Sequence, residues 1–430
     1  MSSANAHSAD QGSLFSDESP AKGLICRNCG TTYDLIAQHA CWQCFGPLEV
    51  DYDQTALAKV TREQIEAGPQ SIWRYAPLLP IGTDPADRVS LDPGMTPLID
   101  AKHLAAALGM RKLWVKDDSA NPTHSFKDRV VSTAVSAAVK LGFDRFACAS
   151  TGNLANSVAA HAARAGIPST VFVPHDLEPG KIVQTAVYGG QLVAVEGSYD
   201  DVNRLCSELT ETDEFESTAF VNVNIRPYYA EGSKTLGYEV AEQLGWRLPA
   251  QVVVPMASGE LLTKIHKAFE EAAEIGLTDP GEVRVFGAQS AGCSPIADAF
   301  DAGTDVITPV KPTGIAKSLN IGDPAAGPYA IEACRSTGGG MAKVDDDEIR
   351  EGIRLLASTT GVFAETAGGV VVATLRKLLE SGRLDPEAET VIYNTGDGLK
   401  TLDAVSSLVG PTHTVKPSLK STREAGLLGG

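Results

Sequence analysis

This 430-residue chain has no apolar run of transmembrane length, no internal repeat, no basic start followed by an apolar centre at its N-terminus, and too few positive charges to offset its negative ones. Each absence removes a class of protein. Without a run of about 20 apolar residues there is no membrane-spanning helix to expect. Residues 1–20 lack signal-peptide organisation and read as a polar, disordered lead-in, so the expectation is a cytoplasmic protein. Lys and Arg number 36 against 54 Asp and Glu, giving a net charge of −18. Such a body repels a phosphate backbone, so no nucleic-acid partner is expected, and an anionic small molecule must be held by local devices. What is present, 43% hydrophobic residues with 41 glycines and 24 prolines, describes a large core interrupted by many turns.

Four of the eight cysteines form two C-x-x-C pairs, Cys26 with Cys29 and Cys41 with Cys44, while Cys148, Cys206, Cys293 and Cys334 are scattered through apolar surroundings. In CRNCG and CWQCFG a glycine closely follows each second cysteine and permits the tight turn that aims both sulfurs at one tetrahedral ion. Two disulfides or free core thiols are the alternatives, and a cytoplasmic setting disfavours the first. The expectation is a structural zinc ion in a ribbon over residues 21–50, because four thiolates close the coordination shell and leave no position for a substrate.

Residues 56–67 read as a helix, followed by a Pro-rich strap with Trp73, Tyr75, Pro77 and Pro80. After a helix near 101–108, strand-like runs alternate with helix-length segments: 112–116, 146–149, 169–173, 191–195, 220–223, 251–254, 283–286 and 390–393. The alternation predicts an α/β protein with two parallel-rich sheets covered by helices, whose ligands bind beyond the strand C-termini.

The stretch NPTHSFKDR, residues 121–129, follows the first of these strands. Ser125 is expected to N-cap a helix over 126–140, which places Lys127 in its first turn. A cation there opposes the helix dipole, and a partly apolar setting favours the neutral amine, a nucleophile able to form a Schiff base. Taken alone, Lys127 reads as a surface lysine. Its company changes that reading. Ser150, Thr151, Gly152, Asn153 and Leu154 lead from a strand into an Ala-rich helix and suit a carboxylate, although an ordinary hydroxyl cap has the same pattern. Ala257, Ser258, Gly259, Glu260 and Leu261 form a second strand-to-helix loop whose N–H groups suit a phosphate, provided Glu260 turns outward. Thr395, in NTGDGLKT, offers a hydroxyl that can bond a ring nitrogen without protonating it. A lysine nucleophile, two anion loops and such a hydroxyl are the fittings for pyridoxal phosphate.

The motifs SFKDR, STGN, PMASGELLT, GVFAETAGG and NTGDGLKT, in this order, resemble those of the threonine synthases, a branch of the fold-type II (tryptophan synthase β-like) pyridoxal-phosphate enzymes. CFGPLEV, EGSKT at 231–235 and AKSLNIGDP at 316–324 resemble the longer bacterial forms, and the resemblance runs from the ribbon to about residue 405. It implies two α/β domains after the zinc ribbon: a large cofactor-binding domain of 51–145 with 236–410, and a smaller mobile one of 146–235. Residues 411–430 are then a peripheral tail, and the protein a homodimer. By the same resemblance Lys127 carries the Schiff base, Asn153 contacts the cofactor's phenolic oxygen, Thr395 contacts its pyridine nitrogen, 257–261 hold its phosphate, and Ser150 to Leu154 hold the substrate carboxylate. The implied activity is a lyase of threonine biosynthesis, converting O-phospho-L-homoserine and water to L-threonine and phosphate. Lys181, Arg226 and Lys234 are the cations expected at the leaving phosphate, with plain surface charge as the alternative.

Three positions depart from the pattern. His124 stands where glycine is common, the phosphate loop lacks its usual glycines and asparagine, and Leu154 replaces a hydroxyl residue. These leave the cofactor chemistry intact and loosen the claim on the substrate. A β-replacement or β-elimination enzyme acting on O-phosphoserine, serine or threonine, of the cysteate-synthase or dehydratase kind, is the alternative. A ribbon-bearing binding protein without catalysis is a third reading, which Lys127, Asn153 and Thr395 together oppose. His124 reads as a packing or capping group before a proton carrier or phosphate ligand.

Overall fold

A computed structural model describes residues 19–427, so the expected lead-in lies outside the described residues except for Ser19 and Pro20. Strands β1 (Ala21–Cys26), β2 (Thr32–Tyr33) and β3 (Leu48–Tyr52) form an antiparallel ribbon in the order β2-β1-β3. Beyond it the alternation read from the sequence resolves into two sheets. Six strands, β4 (Leu98–Asp100), β5 (Leu113–Asp117), β10 (Gln251–Pro255), β11 (Arg284–Ser290), β12 (Gly340–Val344) and β13 (Thr390–Asn394), lie in the order β12-β11-β10-β13-β5-β4. All run parallel except β4, which pairs antiparallel with β5 at the edge. The other four, β6 (Arg145–Ala149), β7 (Ser169–Pro174), β8 (Gln191–Val195) and β9 (Thr218–Phe220), form an all-parallel sheet in the order β8-β7-β6-β9.

The larger sheet is buried on both faces, which is why its central strand reads as an unbroken apolar run. Val252 and Val254 of β10 join one core with Val285, Met341 and Val391, while Val253 points the other way into a second core with Val115, Phe286 and Ile392. That split follows from the two-residue period of a strand. The β8 edge of the smaller sheet is mostly exposed or half-buried, in keeping with its position.

Several sequence expectations need correction. The single helix over 56–67 is two short ones, Gln54–Leu57 and Arg62–Glu66, because Asp53 and Thr61 each cap a new start. The Pro-rich strap holds a buried 3₁₀ segment, Ile72–Leu78, whose Arg74 and Tyr75 both bond Glu242. The strand expected at 220–223 ends at Phe220, and a side-chain-held turn follows, in which Asn222 bonds Ala149. Strands β4 and β12 were not expected; β4 is three residues long, and β12 reads Gly-Met-Ala-Lys-Val, with little β-branched content.

Candidate active site

The Lys127–Lys140 helix starts one residue later than expected, with Phe126 at its N-cap and no side-chain cap. Ser125 is therefore not the cap; it forms an isolated bridge to Gly396, and its Oγ is buried without a partner. Lys127 is still in the first turn. Around it, SFKDR does structural work residue by residue. Asp128 is buried and accepts from the Thr123 N–H (2.6 Å), the Thr123 hydroxyl (2.7 Å) and the Ser157 hydroxyl (2.6 Å), pinning the preceding loop to the Asn153–Ala165 helix. Arg129 is fully buried between Asp118 and Glu239, and Lys116 donates to the same Glu239 at 2.7 Å. Two cations and two carboxylates balance there, which is what allows four charges so far from water.

His124 takes a left-handed backbone, φ +63°, and its side chain is exposed. That conformation is the one glycine adopts freely, which gives a backbone reason for glycine at this place in other sequences. The histidine side chain does not line the cavity.

Lys127 opens into a cavity of about 160 Å³, bounded on the other sides by Ser150, Thr151, Asn153, Leu154, Ala257 to Leu261, Arg226, Tyr229, Glu365 and Thr395. Convergence of these loops follows from the parallel sheets, whose strand C-termini all face one way. Nζ of Lys127 donates to Tyr229 Oη at 2.7 Å and lies 4.5 Å from the centre of the Phe126 ring. Burial pushes its amine down to about 8, against the pull of the Glu365 and Glu260 carboxylates.

The loop at 150–154 is in part the ordinary cap that its sequence allowed. Ser150 Oγ accepts from the N–H groups of Gly152 (2.9 Å) and Ala155 (2.8 Å). Gly152, at φ +120°, is the N-cap, and the N–H groups of Asn153 and Leu154 sit in the first turn, where no earlier helical carbonyl can take them. A Cβ at 152 would stand 2.2 Å from Lys181 Cδ, so glycine is required by the buried lysine behind the turn. Asn153 Nδ2 donates to Glu365 Oε1 at 2.7 Å, while Asn153 Oδ1 and Glu365 Oε2 are buried without partners. Orphaned polar atoms on a cavity wall mark space for a polar guest. Gly259, at φ +90°, starts the Glu260–Glu274 helix, and Ser258 Oγ accepts from the Glu260 N–H at 3.4 Å; the remaining first-turn N–H groups suit an anion. Glu260 is not turned away from the cavity: it is in its lining and pairs there with Arg226 at 3.6 Å.

Of the three cations expected at a phosphate, the structure separates the roles. Arg226 lines the cavity and, among the described residues, is with Lys127 one of only two Lys or Arg side chains that do. Lys181 lies behind the Gly152 turn, bonded to Glu178 at 3.2 Å. Lys234 is elsewhere: it is buried between Glu231 (2.9 Å) and Glu271 (3.0 Å), in a network that includes Lys264 and Glu49. It was expected at the leaving phosphate, but it is not in the cavity lining, and its amine is held by these carboxylates and the Leu78 carbonyl.

Sequence reasoning gave no role to Tyr229 or Glu365. Glu365 lies in GVFAETAGG and Tyr229 two residues before EGSKT, and no spacing rule pointed to either side chain. Lys400 was also passed over. It is buried, donates to Asn156 Oδ1 (2.8 Å) and Gln184 Oε1 (2.9 Å), and burial lowers its amine to about 8.

In the ribbon the four thiols are unpaired, and their sulfurs lie within 4.8 Å of one another. The sulfurs of Cys26 and Cys44 are 3.4 Å apart and those of Cys29 and Cys41 3.6 Å apart. Sulfurs at about 2.3 Å from a tetrahedral zinc stand about 3.8 Å from each other, so the cluster fits the ion. The two turns are not alike. Gly30 takes the left-handed conformation after Cys29, whereas after Cys44 it is Phe45, φ +59°, and not Gly46.

The pyridoxal-phosphate dependent enzyme family matches residues 89–396. A threonine synthase of Methanocaldococcus jannaschii is 37% identical over 382 residues, covering 88% of this chain and 93% of that protein. One of Methanosarcina acetivorans is 35% identical over 410 residues, covering 94% and 98%. Among solved structures, diaminopropionate ammonia lyase from Escherichia coli superposes with a TM-score of 0.63 at 17% identity, covering 80% of this chain and 91% of that one. A fungal L-serine ammonia-lyase from Rhizomucor miehei gives 0.61 at 22% identity, covering 73% and 97%. At those identities the likeness speaks for the fold, which is that of the fold-type II enzymes. With a half-buried lysine on a cavity wall, two helix starts at positive-φ glycines and a thiol knuckle in place, the relatives at 35–37% identity make this chain a member of the pyridoxal-phosphate dependent enzyme family and, within it, of the threonine synthases.

Proposed function

We propose that the protein converts O-phospho-L-homoserine and water to L-threonine and phosphate. One observation carries this reading beyond family membership: a single cavity holds Lys127, whose amine burial pushes down to about 8, together with a guanidinium, Arg226, suited to a phosphorylated amino acid. Pyridoxal phosphate, when bound, stores the electron pair released at the substrate's α carbon. Lys127, Asn153 and Thr395 would hold its reactive carbon and ring, and the N–H groups of Ala257, Ser258, Gly259, Glu260 and Leu261 its phosphate. Lys127 Nζ, partly neutral near pH 7, takes protons from the substrate carbons and returns them. The N–H groups of Asn153 and Leu154 bind the substrate carboxylate. Arg226, which cannot lose its charge, faces the γ-phosphate, and Lys181 adds positive potential from behind the Gly152 turn. The small sheet's residues, 146–235, close on the substrate as a mobile domain against 51–145 and 236–410, excluding water until the addition step. The family resemblance supports a homodimer working in the cytoplasm, checked by light scattering on the purified protein. No described helix is long and apolar enough to cross a membrane.

O-Phosphoserine is the second reading, favoured by Leu154, whose buried apolar side chain takes up wall space where a longer substrate would lie. Offering each phosphate ester separately, with phosphate release measured and the amino-acid product identified, tests both. Threonine from O-phosphohomoserine alone supports the proposal, and turnover of O-phosphoserine alone overturns it.

A further inference from the structure

We propose that Tyr229 is a second proton carrier of this site, relaying a proton from Lys127 Nζ to the oxygen of the departing phosphate. The inference rests on the reading of the substrate as a γ-phosphate ester. Near pH 7 such an ester is largely a dianion. If its Cγ–O bond breaks unassisted, phosphate leaves as a strongly basic trianion, so a proton must reach the bridging oxygen as the bond cleaves. Arg226 can bind that oxygen but has no proton to give up. Lys127 works on the carbon side, where it must shed the proton taken from Cβ before it can act again.

The structure supplies a route between the two. Tyr229 Oη accepts from Lys127 Nζ at 2.7 Å, and both groups face the same cavity. Arg226 and Tyr229 stand three residues apart on the Arg226–Glu231 helix, so guanidinium and phenol share one face of it. A phosphate held by the first lies beside the second. The groups around the phenol are Lys127, Arg226, Glu260, Tyr199 and Cys148. Burial, with Tyr199, Cys148 and Glu260, holds the phenol well above its ordinary value, so it stays protonated at rest and yields its proton only to a strong base.

The step balances. The Cβ–H bond breaks, its electron pair becomes the second Cβ–Cγ bond, and the Cγ–O pair leaves with phosphate. The β proton goes to Lys127 Nζ, an Nζ proton passes to Tyr229 Oη, and the phenol's own proton goes to the departing oxygen. Lys127 and Tyr229 finish as they began, and phosphate leaves as the monohydrogen dianion.

The test uses the holoenzyme and Tyr229→Phe, with zinc content and urea unfolding as checks on the fold. Phosphate release from O-phosphohomoserine is expected to fall on the order of 100-fold, while exchange of the substrate's α hydrogen with deuterium stays within about threefold. Equal losses in both rates, or no loss in either, overturn the relay. Tyr229 replaced by 3-fluorotyrosine, a more acidic phenol of nearly the same size, should move the alkaline limb of the phosphate-release profile to lower pH; an unmoved limb counts against the relay. In cofactor-free protein, competitive acetylation reads the Lys127 amine directly. Its titration midpoint should fall in Tyr229→Phe, because the ammonium loses its acceptor, and an unchanged midpoint removes the contact on which the relay depends. Should the wild type release no phosphate from O-phosphohomoserine, the functional reading falls and takes the relay with it. Should it release phosphate and Tyr229→Phe match it, only the relay falls.

Discussion

At the residue scale, the chemistry turns on how burial treats individual charges. Lys127 is pushed down to about 8 because its amine is buried, and the nearby carboxylates undo only part of that push. The sign is set by the amine: only its neutral form attacks a carbonyl. Capture of pyridoxal phosphate by cofactor-free protein should therefore quicken as pH rises through about 8, followed as growth of the imine absorbance near the visible edge. A rate flat across that range would contradict the assignment. Lys127→Ala should lose that absorbance altogether and reduce turnover by roughly 10³-fold or more. Arg226 has a different task. Since a hydrogen bond to a charged group contributes about 1.5–3 kcal/mol, Arg226→Gln should raise the KM for the phosphorylated substrate by at least about 10-fold. An unchanged KM would assign Arg226 to Glu260 alone.

At the scale of elements, two helix starts face the cavity and one knuckle gathers the four thiols. The Asn153–Ala165 and Glu260–Glu274 helices both begin at positive-φ glycines; Ser150 and Ser258 each take part of the start, and the first-turn N–H groups of Asn153, Leu154 and Leu261 have no earlier helical carbonyl to bond. The ribbon is tied to the second of these helices. Glu49 of β3 meets Lys264 and Lys267, and Tyr329 donates to Asn28 at 2.6 Å, between the first two thiols. Burial of Glu49 is outweighed by Lys264, Lys267 and Arg27, which hold its carboxyl down at about 2. Metal analysis should find about one zinc per chain, and chelation should lower the Tm by loosening the ribbon and these contacts. Fully folded, metal-free protein with an unchanged Tm would remove the zinc assignment.

At the scale of the whole molecule, the buried ion pairs beneath the cleft set the response to acid and to mutation. Burial would raise Glu239, but Arg129 and Lys116 hold its carboxyl at about 2, against an ordinary value of 4.5. Its contribution to stability is complete above about pH 4.5 and is lost as pH falls toward 2, because the unfolded chain binds the proton first. Urea midpoints measured from pH 6 to pH 3 should decline for the wild type and decline less in Glu239→Gln. Arg129→Met leaves Asp118 and Glu239 buried without their shared cation and should cost about 3–5 kcal/mol in unfolding free energy. A loss under about 1 kcal/mol would mean that water reaches the site.

Legibility divides along the same lines. The four-thiol cluster, the position of Lys127 in a first turn and the two strand-to-helix loops could be read from contiguous residues, because a helix start or a knuckle is built within one turn of chain. Ser125 was misassigned because a hydroxyl before a helix looks like a cap whether or not its Oγ reaches back; here the backbone of the 121–126 loop is held by Asp128 and Thr395 instead. Lys234 was misplaced because segment membership says nothing about which face of a helix a side chain takes.

By itself the sequence determined the fold class, the cofactor and the family, since each depends on local pattern: apolar alternation for parallel sheets, glycines where φ must be positive, and thiols at chelating intervals. Only the tertiary structure decided which side chains meet. Lys127 and Tyr229 are 102 positions apart, Asn153 and Glu365 are 212 apart, and Lys400 and Asn156 are 244 apart. The physical reason is that strand order and helix packing, which no short window of sequence specifies, bring these groups together away from solvent, and that burial shifts the titratable ones among them.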